Sequence, residues 1–172
     1  MTSNTIETLI AKQDITELIY KYMRGLDRWD QALLDSLFTE DAWCEYGFIN
    51  TSAKEFISFA IDALKEHQAN QHMVGNILID IKGNEAFGEV YFNAYHKIKT
   101  ENGFEDMIIA GRYLDRYEKN NGIWKFAYRS ELVDWSHSRP TNEPYFELVP
   151  DSLLGSRQDD ALYDRKSRYK KA

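Results

Sequence analysis

Histidine is the side chain whose ordinary charge change falls near neutral pH, and this chain carries four: His67, His72, His96 and His137. An imidazole becomes an effective general base when a carboxylate fixes its tautomer and stabilises the imidazolium left by proton abstraction. The acid of interest is Asp27. In YKYMRGLDRWD it follows Met23 by four residues and Tyr22 by five, so it borders an apolar stripe instead of lying opposite it. A carboxylate near a helix C-terminus is unfavourable unless a partner compensates it or the helix stops earlier, at Gly25. On spacing alone Asp27 serves equally as a surface partner of Arg24 or Arg28. His72 stands ahead of MVGNILIDI, at a helix-to-strand junction that allows either a pocket-mouth position or a structural one. His67 belongs to the polar end of a helix. His96 shares a strand face with Val90, Ala94 and Ile98 and either lines a cavity or ends a core stripe, while His137, beside Trp135, fits a rim or a surface loop.

Other side chains bear on the same chemistry. Arg129, in IWKFAYRSELV, shares a face with Ala127, Glu131 and Val133, and an arginine there must find an anion or a carbonyl because its charge cannot be removed. Its structural alternative is an ion pair with Glu131 or with an acid across the strand. Tyr46 packs amphipathically or donates a hydrogen bond to a substrate oxygen. The chain has no P-loop, HExxH, GxSxG, paired CxxC or dinucleotide glycine fingerprint, and its histidines lack the close pairing of a metal site. Neither a metal nor a cofactor is expected.

Helices come first in the elements that must position these groups. Ile6, Leu9, Ile10, Ile15, Leu18, Ile19, Tyr22, Met23 and Leu26 recur at helical intervals. Asp30 can cap a short second helix through QALLDSLF, and AWCEYGF reads as a first strand holding Tyr46. Ser52 with Glu55 forms a capping box ahead of a third helix, KEFISFAIDALKEH, whose apolar face is expected at Phe56, Phe59, Ala60, Ala63 and Leu64. Strand patterns follow, reversing at Gly83-Asn84, Asn102-Gly103 and Asn121-Gly122. All three prolines, Pro140, Pro144 and Pro150, fall beyond the last of these strands. The pattern predicts an α+β domain over residues 1–139, with helices on one face of a curved, mainly antiparallel sheet that encloses a pocket. Residues 140–172 read as an extension wrapping the surface or a neighbouring subunit.

Composition narrows the partners. With 28 acidic and 21 basic side chains the net charge is −7, which disfavours nucleic acid and anionic lipid, and no segment reads as a membrane span or secretory leader. Cys44 is the only cysteine, so no disulfide forms within the chain. A cytoplasmic location and a small-molecule partner are expected.

The runs ITELIYKYMRGLDRWD, HMVGN and DRYEKNNGIWKF, in that order and separation, resemble the SnoaL-like group of the nuclear-transport-factor-like superfamily over about residues 8 to 137. Within it they are similar to the cofactor-free lyases: bile-acid 7α-dehydratase, hexachlorocyclohexane dehydrochlorinase and, more distantly, scytalone dehydratase. The resemblance implies a cone-shaped fold, a dyad of Asp27 with His72 as base, and assisting roles for Tyr22 and Tyr46. Arg129 matches the dehydrochlorinase pattern, whereas tyrosine rather than lysine at position 22 favours dehydration over dehalogenation. Trp43, Phe56, Phe92, His96 and Trp124 are the expected surroundings of a flat or alicyclic substrate. The same dyad would also serve an isomerase or an aldol-type polyketide cyclase, and the fold also hosts non-catalytic binding and assembly modules. Related cone proteins imply a homo-oligomer, a dimer or trimer formed through the open sheet face.

Overall fold

The computed structural model describes residues 6–157 and 159–165. Three helices and six strands follow one another as α1 (Ile6–Arg28), α2 (Gln31–Leu37), β1 (Phe38–Glu45), β2 (Asn50–Ser52), α3 (Ala53–Lys65), β3 (Ala69–Lys82), β4 (Glu85–Thr100), β5 (Gly103–Asn120) and β6 (Ile123–Pro140). A short helix α4 (Pro144–Leu148) and a 3-10 turn at Ala161–Asp164 lie in the C-terminal extension. The strands form one curved, unclosed sheet in the order β2-β1-β6-β5-β4-β3, antiparallel except where β1 runs beside β6. The α+β architecture expected from the sequence is the one observed.

Local chemistry explains the boundaries. Asp30 accepts from the Leu33 amide at 3.0 Å and starts α2, and Ser52 Oγ accepts from the Glu55 amide at 3.3 Å while the Glu55 carboxylate accepts from the Ser52 backbone amide, completing the capping box of α3. Two hairpins turn at the expected Gly83-Asn84 and Asn121-Gly122, while the middle one turns at Glu101-Asn102, one residue earlier than expected, with Gly103 opening β5 opposite Thr100. Asn121 and Gly122 both take positive φ, 52° and 83°, as a tight hairpin reversal requires.

Three details differ from the sequence pattern. Ile6, Leu9 and Ile10 are exposed, because the first turns of the long α1 overhang the sheet and its burial begins at Ala11. In α3 the buried stripe is Ala53, Phe56, Ile57, Ile61 and Leu64, so Phe59 faces outward and leans on Phe48. Pro140 closes β6 rather than following it, at a stretch where β6 pairs only with β5 and its missing amide breaks no ladder on the other side.

The core lies between the helices and the concave sheet face, where Ile15, Ile19, Leu34, Ile57, Val90 and Phe126 are nearly or completely removed from water. Each such side chain contributes about 2 kcal/mol of burial. Gly111 sits where β5 and β6 shift register, and a Cβ there would lie 2.0 Å from the Leu132 carbonyl oxygen. Because that neighbour is backbone, Gly111→Ala is expected to lose at least about 2 kcal/mol of stability. Urea denaturation beside a surface alanine control measures the loss.

Candidate active site

Helix α1 continues through Gly25 to Arg28, so Asp27 belongs to its last turn. Gly25 is required by packing: a Cβ would come within 2.6 Å of the buried Leu34 side chain. The helix ends as the Trp29 amide donates to the Leu26 carbonyl (3.3 Å) and the Asp30 amide to the Gly25 carbonyl (2.9 Å), a Schellman arrangement. Its left-handed position, φ 54°, is held by tryptophan where glycine is customary, a strained choice for a bulky side chain.

Asp27 carries an acid at the partially negative end of a helix, and strand β3 compensates it. Asn70 Nδ2 donates to Oδ1 at 2.8 Å, the His72 amide donates to both oxygens at 3.1 Å, and His72 Nδ1 meets Oδ1 at 2.8 Å. This pattern requires Nδ1 to carry the hydrogen. Nε2 is then left as the basic nitrogen, and it takes no hydrogen-bond partner among the described residues. Both side chains line an open groove of about 480 Å³ between α1, β3 and the extension.

Two further imidazoles adjoin the pair. The His96 ring meets the His72 ring edge-on at 5.3 Å, and His67 Nδ1 lies 3.2 Å from His96 Nδ1. Burial, followed by the neighbouring His72 and His67, pushes His96 down to about 3, and burial also lowers His67. Both therefore stay neutral at physiological pH. His67, assigned to a polar helix end on sequence grounds, lies just past α3 against β4, where its chain neighbour Gln68 donates to the Lys97 carbonyl. His137 sits exposed near the far end of β6, paired with Ile108 of β5.

A second polar cluster lies deeper. Tyr22 and Tyr46 share a hydrogen bond at 3.0 Å between their hydroxyls. Tyr46 lies one residue beyond β1 rather than within it, where its amide bonds the Ile49 carbonyl and the Asn50 side chain. Tyr113 of β5 joins them, its ring centroid 6.4 Å from each of the other two. Burial pushes Tyr22 up to about 12 and Tyr46 and Tyr113 well above the ordinary phenol, so all three act as hydrogen-bond donors and none as a phenolate.

Arg129 is fully buried beneath this cluster, its guanidinium 4.2 Å from the Tyr22 ring and 4.1 Å from the Tyr113 ring. Nε and Nη2 donate to the two carboxylate oxygens of Asp115 at 2.8 and 2.7 Å. The cross-strand acid is thus Asp115, register partner of Arg129 on β5, and not Glu131. Nη1 has no partner among the described residues. Arg129 has no exposed surface, and the Tyr22 and Tyr113 rings stack over it.

Of the aromatic residues expected around a substrate, Phe56 stacks on Tyr46 at 4.1 Å and Phe92 on Tyr113 at 4.4 Å, both buried. His96 is buried beside the dyad. Trp43 points the other way: it alternates with the buried Ala42 and Cys44 on β1 and is 47% exposed. Trp124 is buried at the β5–β6 turn against the first half of α1, lining a separate groove with Leu18 and Lys21.

Sequence reasoning missed Asn70 and Tyr113, and read Glu131 only as an alternative partner of Arg129. Asn70 could have been found as an amide two residues before His72 and thus on its strand face; Tyr113 carried no signal separating it from core aromatics. Glu131 is the register partner of Tyr113, which hydrogen-bonds it. Burial raises Glu131 from 4.5 to about 7, against the opposing pull of Arg129 and of that hydrogen bond. The folded protein therefore holds a proton that the unfolded chain releases, and stability falls as pH rises through this window. Glu131→Gln is expected to abolish that slope and to gain on the order of 2 kcal/mol over the parent above pH 7. Urea denaturation across the window reads the difference.

Comparison with known proteins completes the description. The model of the SnoaL-like domain family matches residues 7–130. No curated protein matches the chain. Among solved structures it is similar to a hexachlorocyclohexane dehydrochlorinase, LinA type 2, with a TM-score of 0.72 and 18% identity over 81% of this chain and 98% of that one. A protein from Novosphingobium aromaticivorans DSM 12444, provisionally assigned as a scytalone dehydratase, gives a TM-score of 0.68 and 24% identity over 78% of this chain and 91% of that one. A protein of unknown function with a cystatin-like fold, from Nostoc punctiforme, gives 0.59 and 21% over 72% and 90%. At these identities the likeness is one of fold, and with the family match spanning most of the sequence, this chain belongs to the SnoaL-like domain family of the nuclear-transport-factor-like superfamily.

Proposed function

We propose that this protein is a cofactor-independent lyase, a dehydratase acting on a hydrophobic, ring-containing small molecule. The observation that carries the reading is the 2.8 Å contact between His72 Nδ1 and an Asp27 carboxylate already engaged by two other donors, at the edge of an open groove. Asp27 fixes the tautomer, and His72 Nε2 takes a proton from the carbon beside a carbonyl. The electron pair of that C–H bond forms the new double bond as the neighbouring C–O bond breaks. The departing hydroxide recovers the proton from the imidazolium, so water leaves and the enzyme returns to its starting state. Tyr22 and Tyr46, held protonated by burial, are the donors deeper in the domain for the oxygen on which charge grows, and since neither lines the groove of Asp27 and His72, the substrate oxygen must pass beyond that groove to reach them. Arg129 adds positive potential from beneath; Phe56 and Phe92 back Tyr46 and Tyr113, and the apolar lining beside the dyad is Met23, Met73, Val74 and Leu162.

The dyad would also serve an isomerase or an aldol-type polyketide cyclase, and the Tyr22–Tyr46 pair supports that second reading because a polarised carbonyl is common to all three reactions. Product mass separates dehydration from isomerisation, since only the first loses water. His72→Ala is expected to lower kcat/KM by about 10²- to 10⁴-fold on a cyclic β-hydroxyketone turned over by the parent protein. Unchanged turnover in that variant removes His72 as the base, whereas a parent protein that turns over no such compound returns the fold to a binding or assembly role.

We further propose a homo-oligomer, dimer or trimer, in the cytoplasm. Among the described residues no helix is long and apolar enough to cross a membrane. The convex sheet face exposes Met73, Leu78, Phe87, Tyr91 and Leu114 around Arg112, which pairs with Glu89 and Asp134. Light scattering is expected to show a species of at least twice 20.2 kDa at micromolar concentration, and a purely monomeric result overturns the assembly.

A further inference from the structure

The C-terminal extension returns to the dyad. Arg157 Nη1 donates to the Asp27 carbonyl at 2.8 Å and to the Asn70 side-chain oxygen, and the guanidinium lies 4.6 Å over the Trp29 ring. Neighbouring contacts hold this segment down: Arg28 Nη1 donates to the Ser156 carbonyl at 2.9 Å, the Ser156 amide to Asp160 at 3.0 Å, and the Tyr163 hydroxyl to Asp30 at 2.9 Å.

Asn70 links Arg157 to the Asp27 carboxylate. Its Nδ2 faces the Asp27 carboxylate, and rotating the amide by half a turn would set a carbonyl oxygen against that negative charge. Arg157 donates to the opposite end of the same amide and so opposes the rotation. It also satisfies a carbonyl in the last turn of α1, where the helix supplies no amide donor of its own and where positive charge is favourable. By stacking on Trp29 it covers the residue that holds the strained left-handed position. One side chain therefore fixes the backbone, the carboxylate and the amide that orients the carboxylate.

We infer that Arg157 is a positioning residue for the Asp27–His72 pair, acting through Asn70, so that a residue of the C-terminal extension completes the site on the cone domain. The chain of hydrogen bonds runs Arg157 to Asn70 to Asp27 to His72. Its kinetic consequence rests on the lyase reading; its geometric consequence does not.

The test uses the full chain in four variants, Arg157→Ala, Arg157→Lys, Asn70→Ala and the double Arg157→Ala/Asn70→Ala, with circular dichroism confirming that each is folded. Proton NMR follows the low-field signal of the hydrogen between His72 Nδ1 and Asp27, assigned by its loss in His72→Gln. Arg157→Ala is expected to move this signal upfield and speed its exchange with water. Lysine, which retains charge and a donor, restores it in part, and the double variant matches Asn70→Ala alone because both act on one path. On a cyclic β-hydroxyketone, kcat is expected to fall about tenfold in Arg157→Ala with KM nearly unchanged. An unaltered signal in Arg157→Ala, or additive losses in the double variant, overturns the inference even if His72→Ala is inactive. A shifted signal together with full activity in His72→Ala instead leaves the positioning role standing and removes the dyad as the base of the lyase reading.

Discussion

The site depends on the satisfaction of one carboxylate at the wrong end of a helix. Asp27 opposes the dipole of α1, and a buried charge there is tolerable only because the start of β3 presents hydrogen-bond donors to it at short range. Two requirements follow. The helix must run to Arg28 to deliver the acid, and β3 must begin in a register that turns Asn70 and His72 toward it. The close approach of α2 at Gly25 secures the first, and the continuous β3–β4 ladder, which pairs Asn70 with His96 and His72 with Ala94, secures the second.

Around this anchor the interior is divided by chemistry. On the β3 side stand three imidazoles, two of them kept neutral by burial, with little charge of their own. On the β5–β6 side stand three protonated phenols above a buried arginine whose charge is neutralised by Asp115. Neither half places an uncompensated charge in the interior, which is the only economical way to keep so many polar groups away from water. The Arg129–Asp115 pair is best understood as the foundation of the phenol cluster: the Nε and Nη2 side of its planar fork is held by the carboxylate, and its faces support the rings.

Much of this was legible in the sequence, and the reasons are specific. Hairpin dipeptides, the capping box at Ser52 and the helical stripe of α1 are local signals, so the order of elements follows from them. The nearness of Asp27 to His72 is a property of tertiary register, and spacing alone left Asp27 equally suited to a surface pair with Arg24 or Arg28. Trp43 was misplaced because strand alternation depends on where the strand begins: Phe38, Ala42 and Cys44 take the inner face, and a strand counted from Ala42 gives no such constraint. Glu131 was read only as an alternative partner of Arg129, since the burial that raises it and its bond to Tyr113 arise from packing with another strand. The role of the extension was invisible, because the contacts of Arg157 span well over half the chain and carry no periodic signature.

The strand order puts β3 at the rim of the sheet, hydrogen-bonded to β4 alone. A basic nitrogen carried on a rim strand can meet and release small molecules without any inter-strand ladder being broken. Access to the groove and integrity of the open sheet are therefore separate matters in this fold, and sequence change at the rim can reshape the groove while the central strands stay as they are.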